Sequence, residues 1–410
     1  MEFSFQPHAL VYVGLLLLLS YLGGEIASYC KAPRVTGYLV MGMLVGHSVI
    51  GLFPRKMVQQ DLVLVTHIAL SIIAFSIGGS LNLGKMKRLG RQILLIAVNE
   101  AGGAFVLVTL VLCLGFWVMP GVKGNFLTVY FPLALVVGAL SAATAPAATL
   151  AIIHEYRARG PMTTIVLGVV ALDDALAIFF FAFAGAIARS LVQGQGFSWQ
   201  AFTFMPVFAL LASLAIGAIL GAALSRLMPF VKRRAAMLGV ITGAILLASG
   251  LALSLGVSPL LADMALGFAV TNFVGRQEDI FAVVESIEEP LFGMFFALAG
   301  AHLDLEVIGA AAGLALLIIL GRFSGKLIGC RIGAWMSGAP REIRTYLGFC
   351  LMPKAGVTVG LILVARDIFG LTAEAELMVN AVLGSVIINE LLAPFGVRYA
   401  LFRTGEAGAG

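Results

Sequence analysis

The sequence predicts an all-α polytopic membrane protein of about thirteen transmembrane helices. Its N-terminus lies outside, its C-terminus inside, and it has two inverted halves that each carry a broken helix. Three observations predict this. Of 410 residues, 60% are hydrophobic and only 11% are charged, against roughly 45–50% and about 25% in a soluble protein. Lys and Arg alternate between successive loops, as retention of positive charge on the cytoplasmic side requires. Two apolar segments are interrupted near mid-membrane by proline and small polar residues.

Apolar runs place helices near 8–29, 35–51, 61–80, 91–118, 128–153, 161–188, 201–225, 236–255, 258–273, 287–302, 306–333, 343–365 and 374–397. At about 20 residues per crossing, thirteen helices take about 260 residues, and the short gaps leave no room for a soluble domain. The tail beyond about Arg398 is expected to be too short to fold, which excludes a nucleotide-sensing or ATPase module. The first run lacks a basic stretch before it and an A-x-A site after it, so it is expected to be a retained helix and not a cleaved signal.

The loops test the count. Starting from an outside N-terminus, the inward loops hold 18 of the 26 basic residues: Lys31, Arg34, Lys85, Lys87, Arg88, Arg91, Arg157, Arg159, Arg226, Lys232, Arg233, Arg234, Arg276, Arg331, Arg341, Arg344, Arg398 and Arg403. The outward loops hold 5, namely Arg55, Lys56, Lys123, Arg189 and Arg366, and Arg322, Lys326 and Lys354 fall inside helices. Twelve or fourteen helices would scramble this alternation. The net charge of +5 is therefore topological, and no nucleic-acid or nucleotide partner is expected. Membrane lipid is.

The interrupted segments are Ser141-Ala-Ala-Thr144-Ala-Pro146-Ala-Ala-Thr149 and Met352-Pro353-Lys354-Ala-Gly356-Val-Thr358. Proline removes a helical donor and clashes with the preceding turn, so each stretch unwinds only where it lines a cavity or is covered by protein. The two lie seven helices apart along the chain, an odd number of steps, so they run in opposite directions. Broken helices at matching places in inverted halves point to the binding site of a secondary transporter. Two unrelated proline kinks are the plainer alternative.

Each ionisable group at the bilayer centre costs about 2.5–3.5 kcal/mol on insertion scales. Asp173 and Asp174 stand together near the middle of the 161–188 segment, followed by nearly unbroken apolar residues. Burial and mutual repulsion both make ionising the pair costly, so a proton and a metal cation compete for the same oxygens. Neighbouring helical residues point about 100° apart, which lets one Asp face an ion cavity and the other a basic partner. That partner is expected in Gly321-Arg322-Phe-Ser-Gly325-Lys326-Leu-Ile-Gly329-Cys-Arg-Ile-Gly333. Glycines at spacing four make a bare face for close helix approach, and Arg322 and Lys326 share a second face. Lys326 is the more switchable base, with snorkelling toward the inner surface as the alternative. Glu100 reads equally as a cavity-lining proton site or as half of a structural pair. Asp263 reads as structural, through bonds to helix backbone, and Asn389 and Glu390 are secondary cavity candidates. His47, His67 and His302 read as helix-end or packing residues.

Taken together, Thr144-Ala-Pro146-Ala-Ala-Thr149, the Asp173-Asp174 pair and Gly325-Lys326-Leu-Ile-Gly329 resemble the monovalent cation:proton antiporter superfamily, specifically its electrogenic two-aspartate branch, over almost the whole chain. The resemblance implies a homodimer built from a dimerisation domain, here about 8–51 and 201–273, and an ion-binding core, about 61–188 and 287–397. In that core two broken helices cross beside the aspartates and move like an elevator. It implies that Asp174 binds the cation, that Asp173 pairs with Lys326 when the cation is absent, and that Thr144 helps coordinate the ion. Ser141 and Lys354 join Glu100 and Asn389 as secondary candidates. The second broken segment reads Pro-Lys354-Ala-Gly-Val-Thr where the family's commonest run is Arg-Gly-Glu. The implied exchange is of two protons for one Na+ or Li+ across a bacterial inner membrane, with no cofactor.

Electroneutral exchange and a sodium-coupled organic-solute symporter of the same architecture are the alternatives. An intramembrane aspartyl protease needs two carboxylates facing each other from separate helices, and here they are adjacent on one. Cys30, Cys113, Cys330 and Cys350 show no CxxC and no paired His, so no disulfide framework or zinc site is expected. Gly79-Ser-Leu-Asn-Leu-Gly84-Lys85-Met86 matches a phosphate-binding loop until Met replaces the Ser or Thr that would hold magnesium, and Lys85 belongs to a basic inner loop.

Overall fold

The computed structural model describes residues 8–54, 56–81, 83–118, 125–193, 205–274, 277–301, 305–354, 369 and 373–407. Arg55, Lys123, Arg276, Arg366, His302 and the run 355–358 after Lys354 lie outside the described residues. In chain order the helices are α1 (Ala9–Tyr29), α2 (Arg34–Val45), α3 (Val63–Gly79), α4 (Leu83–Val118), α5 (Phe131–Leu140), α6 (Pro146–Glu155) and α7 (Pro161–Gln193). They continue as α8 (Met205–Leu227), α9 (Arg234–Ser254), α10 (Pro259–Phe273), α11 (Gln277–Ala301), α12 (Leu305–Met336), α13 (Arg341–Cys350) and α14 (Ala373–Arg403). Seven helices are long and apolar enough to cross a membrane, among the described residues, and shorter apolar helices accompany them. Leu10, Leu18, Leu64, Leu114 and Ile219 are more than half exposed, an outer surface suited to lipid.

The helices sort into two groups. The core group is α4 to α7 with α12 to α14, and the scaffold group is α1 to α3 with α8 to α11. Val63–Gly79 packs chiefly on α10 and α11, and Gln277–Ala301 on α1, α2 and α3, while Ile73, Ile77, Phe292 and Phe296 turn toward the core group. Glycine allows this close seating: a Cβ at Gly78 would run into the Met264 backbone of α10, and one at Gly42 of α2 into the Ala297 backbone of α11.

Inside the core group α4 and α12 lie against each other along their length. A Cβ at Gly325 would sit 2.5 Å from the Gly103 carbonyl oxygen, and one at Gly333 would sit 2.6 Å from that of Leu95. No side chain fits such gaps, so the spacing-four glycines set the separation of the two helices. Gly325→Val is expected to cost about 1–3 kcal/mol, the usual range for overpacking. Thermal unfolding in detergent checks it, and an unchanged midpoint would refute the packing argument.

Both interrupted segments do break. α5 ends at Leu140, 141–145 are unwound, and α6 restarts with Pro146 in its first turn, where its missing N–H costs nothing. The second break follows Cys350, the last residue of α13. The two breaks touch, with the Ala145 N–H donating to the Pro353 carbonyl at 2.9 Å.

Helix α7, which carries the aspartates, has its N-terminus held by the C-terminal tail. Glu406 accepts from the N–H groups of Met162 and Thr163 and from the Thr163 hydroxyl, each at 2.7 Å. A carboxylate there satisfies orphan donors and complements the helix dipole. Glu406→Gln is expected to lower stability by about 1 kcal/mol, a typical capping loss, read as a downward shift of the unfolding temperature.

Candidate functional site

The touching breaks, α7 and the middle of α4 and α12 enclose a buried polar cluster. Glu100, Ser141, Thr144, Asp173, Asp174, Arg322, Lys326 and Lys354 are all at most 2% exposed. Lys326 Nζ lies 2.7 Å from Glu100 Oε2 and donates at 2.7 Å to the Thr144 hydroxyl, while Asp173 Oδ2 is 3.6 Å away. Thr144 in turn donates to Asp173 Oδ2. The expected meeting of Lys326 with Asp173 is thus bridged by Thr144, and the lysine's nearest carboxylate is Glu100. The glycine face of α12 lets Glu100 reach it by drawing α4 in.

Asp174 differs from its neighbours. Asp173 and Glu100 each use one oxygen, whereas both oxygens of Asp174 are buried without a hydrogen-bond partner among the described residues. A buried carboxylate with no donor demands a proton or a cation. Hard oxygen ligands of this kind suit alkali ions.

Arg322 holds the crossing itself. Its Nε donates to the Ser141 carbonyl at 3.0 Å and its Nη2 to those of Ala143 at 2.8 Å and Pro353 at 3.1 Å, while Nη1 donates to Met352 O. One guanidinium therefore serves carbonyls from both breaks, groups that the unwound turns leave without helical donors. The sequence showed Arg322 on the face of Lys326 and gave no sign of this partner set, because the carbonyls come from segments about 180 and about 30 residues away. Ser141 contributes this carbonyl, since its hydroxyl bonds back to the Val137 carbonyl at 2.8 Å.

The remaining candidates anchor the second break. Asn389 donates to the Met352 carbonyl at 2.6 Å, and Lys354 Nζ donates to the Ser385 hydroxyl at 2.8 Å, both from the direction of α14. Thr149 ties α6 to the Cys350 carbonyl at 3.0 Å. Asp263 belongs to the scaffold, and its partner is the Ser249 hydroxyl of α9, a structural bond, though not to helix backbone as expected. His47 lies in the turn after α2 and His67 within α3. Among the described residues no group of three His, Cys, Asp or Glu side chains forms a conventional metal site.

The pattern of the family described as sodium/hydrogen exchanger, transmembrane, matches residues 14–403. The chain belongs to that family. It is a multi-pass membrane antiporter of the cation/proton kind, not an enzyme. Among its relatives are the high-affinity Na+/H+ antiporter NhaS3 of Synechocystis, 24% identical over 85% of this chain and 82% of that protein, and the Na+/H+-K+ antiporter GerN of Bacillus cereus, 21% identical over 97% and 96%. The chain also shares its fold with the antiporter MjNhaP1 of Methanocaldococcus jannaschii. The TM-scores against two structures of that protein are 0.70 and 0.76, at 16% and 17% identity, covering 96% and 98% of this chain and 98% and 99% of those chains.

At the scaffold, two contacts tie the end of α6. His154 Nδ1 lies 3.1 Å from Glu288 of α11, and Glu155 accepts from the Arg34 N–H at 3.0 Å, capping α2. Neither was legible from sequence, since each joins segments more than a hundred residues apart.

Proposed function

We propose that the chain exchanges protons for a monovalent cation, Na+ or Li+, with proton and cation taking turns on Asp174. The observation that carries this reading is the Asp174 carboxylate, buried beside the helix crossing with neither oxygen hydrogen-bonded among the described residues. In this reading Thr144 completes the ion's shell on the side of the first break, and Asp173, Lys326 and Glu100 form the basic and acidic surroundings. Thirteen crossings with the N-terminus outside fit the loop charges, with α5 and α6 taken together as one crossing. The core group would move against the scaffold as an elevator, releasing the ties of His154 and Glu155, and the scaffold would supply a homodimer contact. The names of the relatives, antiporters of Na+ or K+ from a cyanobacterium and a bacillus, support a bacterial cytoplasmic membrane.

Exchange of two protons per cation would be electrogenic, drawing about 2.3 kcal/mol per net charge per 100 mV. The 2.7 Å contact of Lys326 with Glu100 favours a second stoichiometry, one for one, because that pair is complete without Asp173 and leaves one proton and one cation to share Asp174. Proteoliposomes with an imposed pH gradient test both readings when Na+, Li+ or K+ is added under valinomycin-clamped potential. Gradient dissipation by Na+ or Li+ that follows voltage supports electrogenic exchange. Voltage-independent dissipation supports the one-for-one form, and indifference to every cation would sink the exchange reading.

A further inference from the structure

Asp263 is a fully buried acid of α10 that the exchange reading does not use. Three oxygen contacts run from it in a line. Asp263 Oδ2 lies 2.5 Å from the Ser249 hydroxyl of α9, that hydroxyl lies 2.5 Å from the Ser71 hydroxyl of α3, and Ser71 lies 2.7 Å from the His67 carbonyl oxygen. These are O–H···O separations, and each needs one hydrogen between its two oxygens. A serine hydroxyl carries one hydrogen, so the two serines supply two hydrogens for three contacts. The carbonyl end only accepts. Ser71 therefore donates to His67 and Ser249 donates to Ser71, which leaves the third hydrogen to come from the acid.

The surroundings agree with that count. Among the described residues Asp263 Oδ1 has no hydrogen-bond partner, and no charged side chain acts on the carboxyl group. The start of α10 offers it no donor either, since Ser258 takes the Leu261 N–H at 3.3 Å. An ionised Asp263 would be a buried charge without a partner, which is costly, and two oxygens of the chain would face each other with no hydrogen between them.

We propose that Asp263 is a second proton-binding site, one that holds its proton and does not exchange it: the neutral acid donates to Ser249 at the head of a hydrogen-bond chain that ends on the His67 carbonyl and ties α10, α9 and α3 together. The contrast with Asp174 lies in the contacts. A proton on Asp174 has no acceptor among the described residues, whereas the proton on Asp263 has the Ser249 hydroxyl. A cation entering at Asp263 would have to displace that proton and reverse every donor in the chain. The inference does not depend on the exchange reading.

Infrared difference spectroscopy of the full chain tests this, comparing wild type with Asp263→Asn near neutral pH in H2O and in D2O. The expected result is one carboxylic-acid C=O band that is present in wild type, lost in the variant, shifted down in D2O and unmoved by Na+. It is expected at the upper end of the acid range, because Oδ1 accepts no hydrogen bond among the described residues. Should Asp263→Asn not accumulate, Ser249→Ala carries the test, since the acid O–H then loses its acceptor and the same band is expected to shift. The proposal falls if Asp263→Asn removes carboxylate bands and no acid band, if Na+ bleaches the acid band, or if Ser249→Ala leaves the spectrum unchanged. Asp263→Asn is also expected to keep the wild-type rate of Na+-driven proton movement in proteoliposomes, because its amide still donates to Ser249. Loss of that movement at an unchanged unfolding temperature would overturn a held proton. Absence of exchange in the wild type would overturn the exchange reading alone, and the infrared band would still decide this one.

Discussion

Asp174→Asn is expected to abolish cation-driven proton movement, by about 100-fold or more, and at the same time to raise the unfolding temperature of the protein. Removing one charge of a buried pair costs about 3–5 kcal/mol, and each 1.4 kcal/mol is about tenfold in affinity, so an amide in place of the carboxylate loses the ion. The stability change has the opposite sign for the same reason. Among the described residues Asp174 has no donor for either oxygen, and a neutral amide does not carry the insertion cost of an unpaired charge, about 2.5–3.5 kcal/mol. A gain of about 1–2 kcal/mol is expected after allowing for the amide's own unmet polar atoms. Such a trade of stability for activity is usual where function needs an unsatisfied group. Full activity in the variant would remove Asp174 from the mechanism, and an unfolding temperature lower than wild type would mean that the carboxylate has a partner.

Lys326→Met should have the largest effect on stability. It leaves Glu100 and Asp173 buried beside each other with only the Thr144 hydroxyl between the lost cation and Asp173. Breaking a buried ion pair from one side costs about 3–5 kcal/mol. The double variant Glu100→Gln/Lys326→Met removes both members of the 2.7 Å pair and is expected to recover most of that loss, since exchanging a whole buried pair for neutral groups is often close to neutral. The readout is thermal or denaturant unfolding of the four proteins as a double-mutant cycle. Additive losses would mean that Glu100 and Lys326 do not interact, and Lys326 would then owe its burial to Asp173 alone. The Glu100 arm also separates the two meanings left open for that residue, because a structural pair predicts coupling and an isolated proton site does not.

Much of the fold was legible along the chain because bilayer physics writes itself into composition. Apolar runs, loop lysines and arginines and two proline interruptions marked the helices and the breaks, and family membership follows from the same residues. Where the reading differed, distance in sequence was the reason. Close contacts through Gly78 and Gly42 set α3 against α10 and α11 against α2, pairings that no local pattern announces. Asp263 drew a backbone bond in expectation and finds Ser249 instead.

By itself the sequence determined that this is a membrane-embedded helical protein, that Asp173, Asp174 and Lys326 are too costly in lipid to be incidental, and that two helices break. Those are local properties, set by the transfer energies and backbone preferences of neighbouring residues. Only the tertiary structure decided which charges meet. Lys326 lies nearest Glu100, Arg322 spends its donors on carbonyls of both breaks, and Asp174 is left without a partner among the described residues. Those outcomes depend on which glycine face lets which helix approach, and hydropathy along one chain does not encode that pairing.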